Sequence, residues 1–451
     1  MAKSKTVFIC QSCGVKHSRW SGKCDSCGAW NSLVEEIIVD NSKTAISKSR
    51  ASAKVIRTDL LKSRPVKDQK PRLASGFKEL DFVLGGGFLS GGVVLIAGQP
   101  GVGKSTLLMQ LAGFISSSSS VLYISGEESF DQVADRSKRL KVKAGNNLSF
   151  ASSINAGDIA KTIETGKFDF VVVDSIQTLQ LDEITSAPGS VSQITNSANI
   201  LIRAAKDSST ALVLVGHVTK EGSIAGPKIL EHLVDVVLQF EGDQYGSFKT
   251  IRASKNRYGS TNEVAIMEMT ELGLRIVDNP SAMLLKERTT EDGSVILATL
   301  EGNRPLLVEI QALVNTTNFG FPKRTASGFD VNRMNLLIAV LERRTKLKLS
   351  DKDIYINVVG GLRLDDPAAD LAVAMAIASN ATGRKIAQDV VVFGEVGLGG
   401  EIRSVRSISQ RVKEAEKLGF MSAIGPRGDQ INNYIEEVKD LRQVLIKYLG
   451  K

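Results

Sequence analysis

Val93-Val-Leu-Ile-Ala97, Gly98-Gln-Pro-Gly-Val-Gly-Lys-Ser105 and Thr106-Leu-Leu-Met-Gln-Leu-Ala112 stand consecutively in a chain of 451 residues. The first is a β-branched apolar run and reads as a buried strand. The second matches G-x-x-x-x-G-K-[ST], and the third reads as a helix. Strand, glycine loop and helix in that order are the setting of a phosphate-binding P-loop. Its glycines let successive backbone N–H groups curl around phosphate oxygens, with a helix N-terminus behind them. Gly98, Gln99, Pro100, Gly101, Val102, Gly103, Lys104, Ser105 and Thr106 are therefore the expected ATP-binding residues. Lys104 is expected to reach the β- and γ-phosphates, and Ser105 to offer its hydroxyl to Mg²⁺.

Further strands of a parallel sheet follow. Ser120-Val-Leu-Tyr-Ile-Ser125, Phe168-Asp-Phe-Val-Val-Val173 and Thr210-Ala-Leu-Val-Leu-Val215 alternate with helical stretches, which predicts a doubly wound α/β domain. Asp174 ends the second of these strands, where an acidic residue holds Mg²⁺ through water. It also fits an ordinary helix cap. Hydrolysis needs a group to orient or deprotonate water. Glu127 or Glu128, just past Ser125, is the expected base, with Glu127 preferred. The same two carboxylates also suit the cap of a helix starting near Phe130.

All four cysteines lie between Cys10 and Cys27, as Cys10-Gln-Ser-Cys13 and Cys24-Asp-Ser-Cys27. Two C-x-x-C turns, each followed by glycine, aim four thiolates at one cation. Four sulfur ligands leave no position for a catalytic water, so the expected Zn²⁺ is structural. His17 is a possible further ligand, but the complete cysteine set favours a surface role.

Charge is concentrated at the N-terminus. Residues 1–72 hold 15 Lys and Arg against 6 Asp and Glu, a net of +9, while the rest of the chain is near neutral at −1. Such an arm attracts polyanions, or simply solvates a linker. Residues 41–72 are rich in Ser, Lys and Arg and lack aromatics, with one short segment around Val55–Leu61 suited to docking. No run of about 18 apolar residues exists, and the first residues lack a long apolar stretch, so neither a membrane span nor a secretory signal is expected. The expected location is cytoplasmic.

The P-loop, the Glu past the next strand and the strand-ending Asp come in the order that resembles the RecA/DnaB class of ATPases. His217 falls where that class places a residue sensing the γ-phosphate. Lys255-Asn-Arg-Tyr-Gly259 matches the K-N-R-F-G motif of one bacterial DNA-repair family, with Tyr258 in place of Phe. Together with the cysteine module, the set resembles the RadA (Sms) family across essentially the whole chain. Two cations two residues apart on an extended segment point the same way. In ring-shaped ATPases such residues reach a neighbouring subunit's γ-phosphate, so Lys255 and Arg257 are candidate catalytic residues. A basic surface turn, or contact with DNA phosphates, is the alternative. The loop Lys220-Glu-Gly-Ser-Ile-Ala-Gly-Pro-Lys228 is expected, by analogy, to line a DNA channel.

Beyond Pro280 the chain resembles the proteolytic domain of Lon proteases, through Asp365-Asp-Pro-Ala-Ala-Asp-Leu371 and Gly394-Glu-Val-Gly-Leu-Gly-Gly-Glu-Ile-Arg403. The family's serine nucleophile follows the proline; here that residue is Ala368. Its lysine falls at or near Ser409, with Lys413 a helical turn away. A nucleophile and its base are both missing, so no peptidase is expected. The basic cluster Arg343-Arg344-Thr-Lys346-Leu-Lys348 suits DNA contact or a solvated helix end.

The expected organisation is a zinc module (1–32), a basic flexible linker (33–70), a RecA-like ATPase domain (71–280) and a Lon-like α+β domain (281–451). The resemblance implies a DNA-stimulated ATPase in branch migration, RecA-linked recombination and double-strand break repair. It also implies single-stranded and branched DNA and the RecA recombinase as partners, and a homo-hexamer. A regulatory ATPase acting on a protein partner and an ATP-dependent Lon-like protease are the competing readings.

Overall fold

A computed structural model of the chain describes residues 4–11, 13–30, 32–39, 71–142, 145–217, 229–242, 248–317, 320–426 and 434–450. The Val55–Leu61 segment and the expected channel loop Lys220–Lys228 lie outside the described residues. None of the described helices is long and apolar enough to cross a membrane.

Two compact units divide the chain: Met1–Phe240 with Arg252–Thr261 and Thr270–Leu274, and Glu241–Ile251 with Asn262–Met269 and Arg275–Lys451. The first begins with a three-stranded antiparallel sheet of β1 (Ser4–Cys10), β2 (Lys16–His17) and β3 (Leu33–Val39). β3 pairs with β1 along its whole length, from Ser4↔Val39 to Cys10↔Leu33. The linker expected from residue 33 therefore starts later, because Leu33-Val-Glu-Glu-Ile-Ile-Val39 completes the sheet that carries the cysteines.

The ATPase fold follows with α1 (Lys78–Leu84), β4 (Val93–Gly98), α2 (Lys104–Ile115), β5 (Val121–Ser125) and α3 (Phe130–Arg139). Next come β6 (Leu148–Ser152), α4 (Ala156–Gly166), β7 (Phe170–Asp174), α5 (Val191–Ser208), β8 (Ala211–His217), α6 (Ile229–Leu233) and β9 (Val236–Glu241). Six parallel strands run in the order β9-β4-β8-β7-β5-β6. β4, β7 and β8 are Val- and Leu-rich and buried, as strands covered on both faces must be. Leu95, Val171, Val173, Leu212 and Leu214 pack against Ile159, Ile163, Ala198 and Leu201 of α4 and α5. The neighbours of β4 in the sheet, β8 and β9, both come late in the chain, and the crevice lies at the strands' C-terminal ends, where an open α/β sheet binds its ligand.

β10 (Phe248–Asn256), β11 (Val264–Thr270) and β12 (Gly273–Ile276) are shared between the units. The second unit thus begins before the expected boundary at 280, because Phe248, Val264 and Ile266 pack with Val277, Leu284 and Leu306. It continues through α7 (Pro280–Leu284), β13 (Ser294–Glu301), β14 (Arg304–Thr316), β15 (Arg324–Ser327), α8 (Val331–Thr345), β16 (Lys352–Val358) and α9 (Ala369–Thr382). β17 (Val390–Val392), β18 (Glu395–Val396), β19 (Ile402–Arg403), α10 (Ile408–Lys417), β20 (Ser422–Gly425), β21 (Ile435–Glu437) and α11 (Leu441–Leu449) complete it. A seven-stranded mixed sheet, β15-β16-β14-β13-β17-β20-β21, carries α9 in its core. Residues 369–379 of α9 are all buried, which an all-round apolar, alanine-rich sequence permits.

Candidate nucleotide site, finger motif and zinc module

The P-loop leaves the sheet at the C-terminal end of β4. A Cβ on Gly98 would lie 2.4 Å from the Phe240 carbonyl oxygen, so only glycine fits. Gly103 takes φ 116°, which lets the loop turn into α2 without steric cost. Gln99, Pro100 and Gly101 form the exposed tip, Val102 is buried beneath it, and Ser105 and Thr106 start the helix. Lys104 is buried. Its Nζ donates to the carbonyls of Gly98 (2.8 Å) and Gln99 (3.0 Å) and lies 3.3 Å from His217 Nδ1. Burial lowers the Lys104 ammonium below its ordinary value, against the opposing pull of the Asp174 and Glu127 carboxylates.

Ser105 Oγ donates to Asp174 Oδ2 at 2.8 Å. A hydroxyl and a carboxylate side by side at the P-loop are hard oxygen donors of the kind Mg²⁺ takes. Glu127 Oε1 accepts from Ser175 Oγ at 2.7 Å and lies 3.8 Å from His217 Nε2. Lys104, Ser105, Glu127, Asp174 and His217 are thus gathered in one place. Glu128 lies near enough for its charge to act on Asp174, but its carboxylate is taken up by a bidentate ion pair with Arg136 of α3. Neither carboxylate caps that helix. Ser129 does, through a reciprocal box with Gln132.

Lys255 and Arg257 lie elsewhere. Lys255 Nζ donates to the carbonyls of Glu231 (2.7 Å), Val234 (2.8 Å) and His232 (3.4 Å), capping the C-terminus of α6. Burial, then the neighbouring Arg257, lowers its ammonium. Arg257 Nη1 donates to Asp235 Oδ1 at 3.1 Å, and the Arg257 N–H donates to the Asp235 carbonyl. Asp235 is buried, and its Oδ2 accepts the Val93 N–H at 3.1 Å. Burial, then the same carboxylate, pushes the Tyr258 phenol up to about 12. The motif is therefore pinned to the first residue of β4, while the P-loop begins at the last. β9 runs parallel to β4 from Val94↔Val236 to Gly98↔Phe240. Five steps of strand separate the two sites by roughly 16 Å, beyond the reach of an arginine side chain.

In the N-terminal module the four cysteine sulfurs all lie within 4.8 Å of one another. Cys10–Cys27 and Cys13–Cys24 are each 3.6 Å apart. A tetrahedron with Zn–S bonds of about 2.3 Å has edges of about 3.8 Å, so the set fits the ion. Gly14 and Gly28 return their N–H groups to the Cys10 and Cys24 carbonyls at 2.8 Å, closing the two knuckles. Backbone N–H groups of Cys27 and Ser26 hold the Cys24 thiol down to about 6, whereas burial pushes Cys13 up to about 12. Four thiolates this close are stable together only around a cation. His17 is no fifth ligand: its Nε2 lies 3.4 Å from Cys24 Sγ and its Nδ1 3.8 Å from Asp25, a supporting position.

The chain is 49% identical over 432 residues to the DNA repair protein RadA of Bacillus subtilis, covering 94% of this chain and 93% of the relative. It is 47% identical to that of Halalkalibacterium halodurans (94% and 93% covered) and 45% identical to that of Listeria monocytogenes (100% and 98%). The chain belongs to the RadA family. Models of an AAA domain, of a rubredoxin metal binding domain and of subunit ChlI of Mg-chelatase match residues 61–223, 8–35 and 326–429. The crystal structure of the RadB recombinase aligns at TM-score 0.37 and 21% identity, over 46% of this chain and 100% of that one. As a RadA-family protein with this P-loop domain and cysteine cluster, the chain is an ATP-hydrolysing enzyme that takes ATP and Mg²⁺ and holds Zn²⁺.

Sequence reading missed residues that support this RadA site. Tyr123, wholly buried in β5, donates to the same Asp174 Oδ2 that Ser105 reaches, at 2.9 Å. In sequence it is one more apolar strand residue. Burial raises the Asp174 carboxyl, and the Ser105 and Tyr123 hydroxyls oppose that rise by favouring the charged form. Tyr123→Phe is expected to raise the Mg²⁺ concentration needed for half-maximal ATP hydrolysis about tenfold with little change in melting temperature. A Mg²⁺ titration identical to that of the parent protein would remove Tyr123 from the site.

In the second unit, Ala368 is buried at the start of α9, while Ser409 and Lys413 are exposed on α10. Asp366 and Arg411 pair at 2.7 Å, both buried. Asp366 also accepts the Leu300 and Ala368 N–H groups and the Thr299 hydroxyl, and Arg411 donates to the Ala298 and Arg406 carbonyls. The nucleophile's position thus holds a methyl group beside a closed ion pair. Arg343, Arg344, Lys346 and Lys348 are exposed around the end of α8.

Proposed function

We propose that the protein is a DNA-stimulated ATPase that processes branched recombination intermediates as a ring-shaped, single-stranded DNA translocase. Its setting is RecA-linked homologous recombination and double-strand break repair. The names of its relatives, DNA repair proteins, support the DNA partner. The observation that carries the rest is the anchoring of Lys255 and Arg257 at the opposite end of β4 from their own P-loop. Cations so placed serve a neighbour's nucleotide, which requires adjacent subunits. The homo-hexamer and the RecA partner come from the family resemblance.

The loop Gly98–Thr106 cradles the phosphates, with backbone N–H groups from every residue but Pro100 available to donate. Lys104 exchanges its two carbonyl partners for β- and γ-phosphate oxygens, since the incoming charge outweighs two neutral acceptors. Ser105 and, through water, Asp174 would hold Mg²⁺, which when bound would supply charge neutralisation to the phosphates. Glu127 orients the attacking water, because it is the carboxylate held beside Ser175 and His217, while Glu128 is committed to Arg136. His217 spans Lys104 and Glu127 and so couples phosphate occupancy to the base. Arg257 stabilises charge on the next subunit's γ-phosphoryl group, and Lys255, whose ammonium is committed to the carbonyls ending α6, positions the segment that carries it. With Ala368 in place of a nucleophile, the C-terminal domain serves assembly and DNA contact, not proteolysis.

The test is ATP hydrolysis with and without single-stranded DNA, using Lys104→Ala as the blank. A Lys104-dependent rate that rises severalfold with DNA supports the reading. A Lys104-dependent rate indifferent to DNA overturns it in favour of a regulatory ATPase acting on a protein.

A further inference from the structure

We propose that the zinc module is a base-stacking platform for single-stranded DNA, with Trp20 and Trp30 as its aromatic surfaces. The inference rests on the DNA reading above and adds a place where the strand is held.

These are the only two tryptophans in the chain, and both stand in this module. Trp20 is 59% exposed and Trp30 is 74% exposed. Neither contributes to the small core beneath the module, which Cys10, Cys24 and Leu33 form with Phe8 and Cys13. A tryptophan outside the core presents a large flat apolar face, with a polar N–H, to whatever binds there. Trp30 is held in place. It bridges to Lys23 across the second knuckle, and its ring rests on Gly22, whose Cβ position would lie 3.8 Å away. The Lys23 ammonium sits 5.8 Å from the ring centroid.

The surrounding charge selects the ligand. Residues 14–23, Gly-Val-Lys-His-Ser-Arg-Trp-Ser-Gly-Lys, carry Lys16, Arg19 and Lys23, all exposed, and no carboxylate. The nearest acid in sequence, Asp25, faces His17, and Glu183 lines a cavity together with Lys16, which leaves Arg19 and Lys23 beside the rings. Protein-binding patches favour Trp but are depleted in Lys. Flat aromatic faces interleaved with lysine and arginine are instead what a single strand needs: the rings take successive bases and the cations follow the phosphates. Every base has a π-face, so such a platform accepts any sequence. A duplex offers no unstacked base to it.

The experiment uses the full-length zinc-loaded protein and an oligo(dT) single strand, followed in two ways. Because no other tryptophan exists, emission excited at the red edge of tryptophan absorption reports this module alone. Anisotropy of a labelled strand reports total binding. The expected result is quenching that tracks the anisotropy change. In addition, Trp30→Ala should weaken binding about tenfold, and Trp30→Phe, which keeps a ring, far less. Both variants must retain one zinc per chain, which separates lost stacking from an unfolded module. Binding seen by anisotropy with unchanged emission and an unaffected Trp30→Ala variant overturns the platform and leaves the DNA reading standing. Equal quenching and affinity with a duplex of the same length also overturns it. Failure to bind any single strand in any nucleotide state overturns the DNA reading itself. An emission change on adding a second protein, and none on adding DNA, assigns the surface to protein contact instead.

Discussion

Arg257→Ala is expected to lower the ATP hydrolysis rate of the assembled protein about a thousandfold while leaving nucleotide binding intact. The guanidinium is 53% exposed at the side chain and touches the rest of its own subunit chiefly through Asp235. Its loss leaves the Asp235 carboxylate bonded to the Val93 N–H and near Lys206 at 3.8 Å, so the fold survives. The P-loop that binds ATP lies at the far end of β4 and is untouched. A single-subunit binding measurement should therefore match the parent protein while turnover collapses. Mixing sharpens the test. Lys104→Ala subunits cannot bind phosphate but carry an intact Arg257; Arg257→Ala subunits have the reverse. Together they should recover part of the activity that each lacks alone. A wild-type rate from Arg257→Ala, or no recovery on mixing, would remove the finger from the mechanism.

Arg411→Met is expected to destabilise the C-terminal unit by about 3 kcal/mol. The substitution matches the stem of the side chain but leaves the buried Asp366 carboxylate without its counter-charge, held only by the Thr299 hydroxyl and the Leu300 and Ala368 N–H groups. It also orphans the Ala298 and Arg406 carbonyls that the guanidinium satisfies. Burial lowers the Arg411 guanidinium below its ordinary value, against the opposing pull of the Asp366 carboxylate. Calorimetry should show that unit's unfolding moved down by roughly 6–12 °C, with nucleotide binding unaffected. An unchanged transition would mean the pair is dispensable.

What was legible in the sequence was what is local. Lys104, Ser105 and the loop glycines sit within one motif, and Cys10–Cys13 and Cys24–Cys27 within two, because a turn must bring their atoms to one point. Asp174 was readable from its position at a strand end. Which of Glu127 and Glu128 pairs with Arg136 is not legible, since Arg136 lies eight residues beyond Glu128 on a helix whose phase the sequence leaves open. Asp235 was invisible because its partners, Val93 and Arg257, lie 142 and 22 residues away. Tyr123 and Arg411 were hidden for a related reason: each is a buried polar residue whose partners come from distant elements. β3 reads as linker in the sequence because Leu33–Val39 gains its meaning only from Ser4–Cys10, the strand it pairs with.

The placement of the P-loop and the Lys255–Arg257 motif at opposite ends of β4 has a geometric consequence. On the proposed action of Arg257 at a neighbour's nucleotide, a surface that gives and a surface that receives, set at opposite ends of one strand, meet head to tail and form a heterologous contact. Two copies cannot satisfy it by a two-fold axis: a pair holds one completed site and one bare P-loop. Under that proposal, full activity in every subunit comes only when the chain of contacts closes on itself or runs on without end. The specific activity of the protein should therefore climb steeply with concentration.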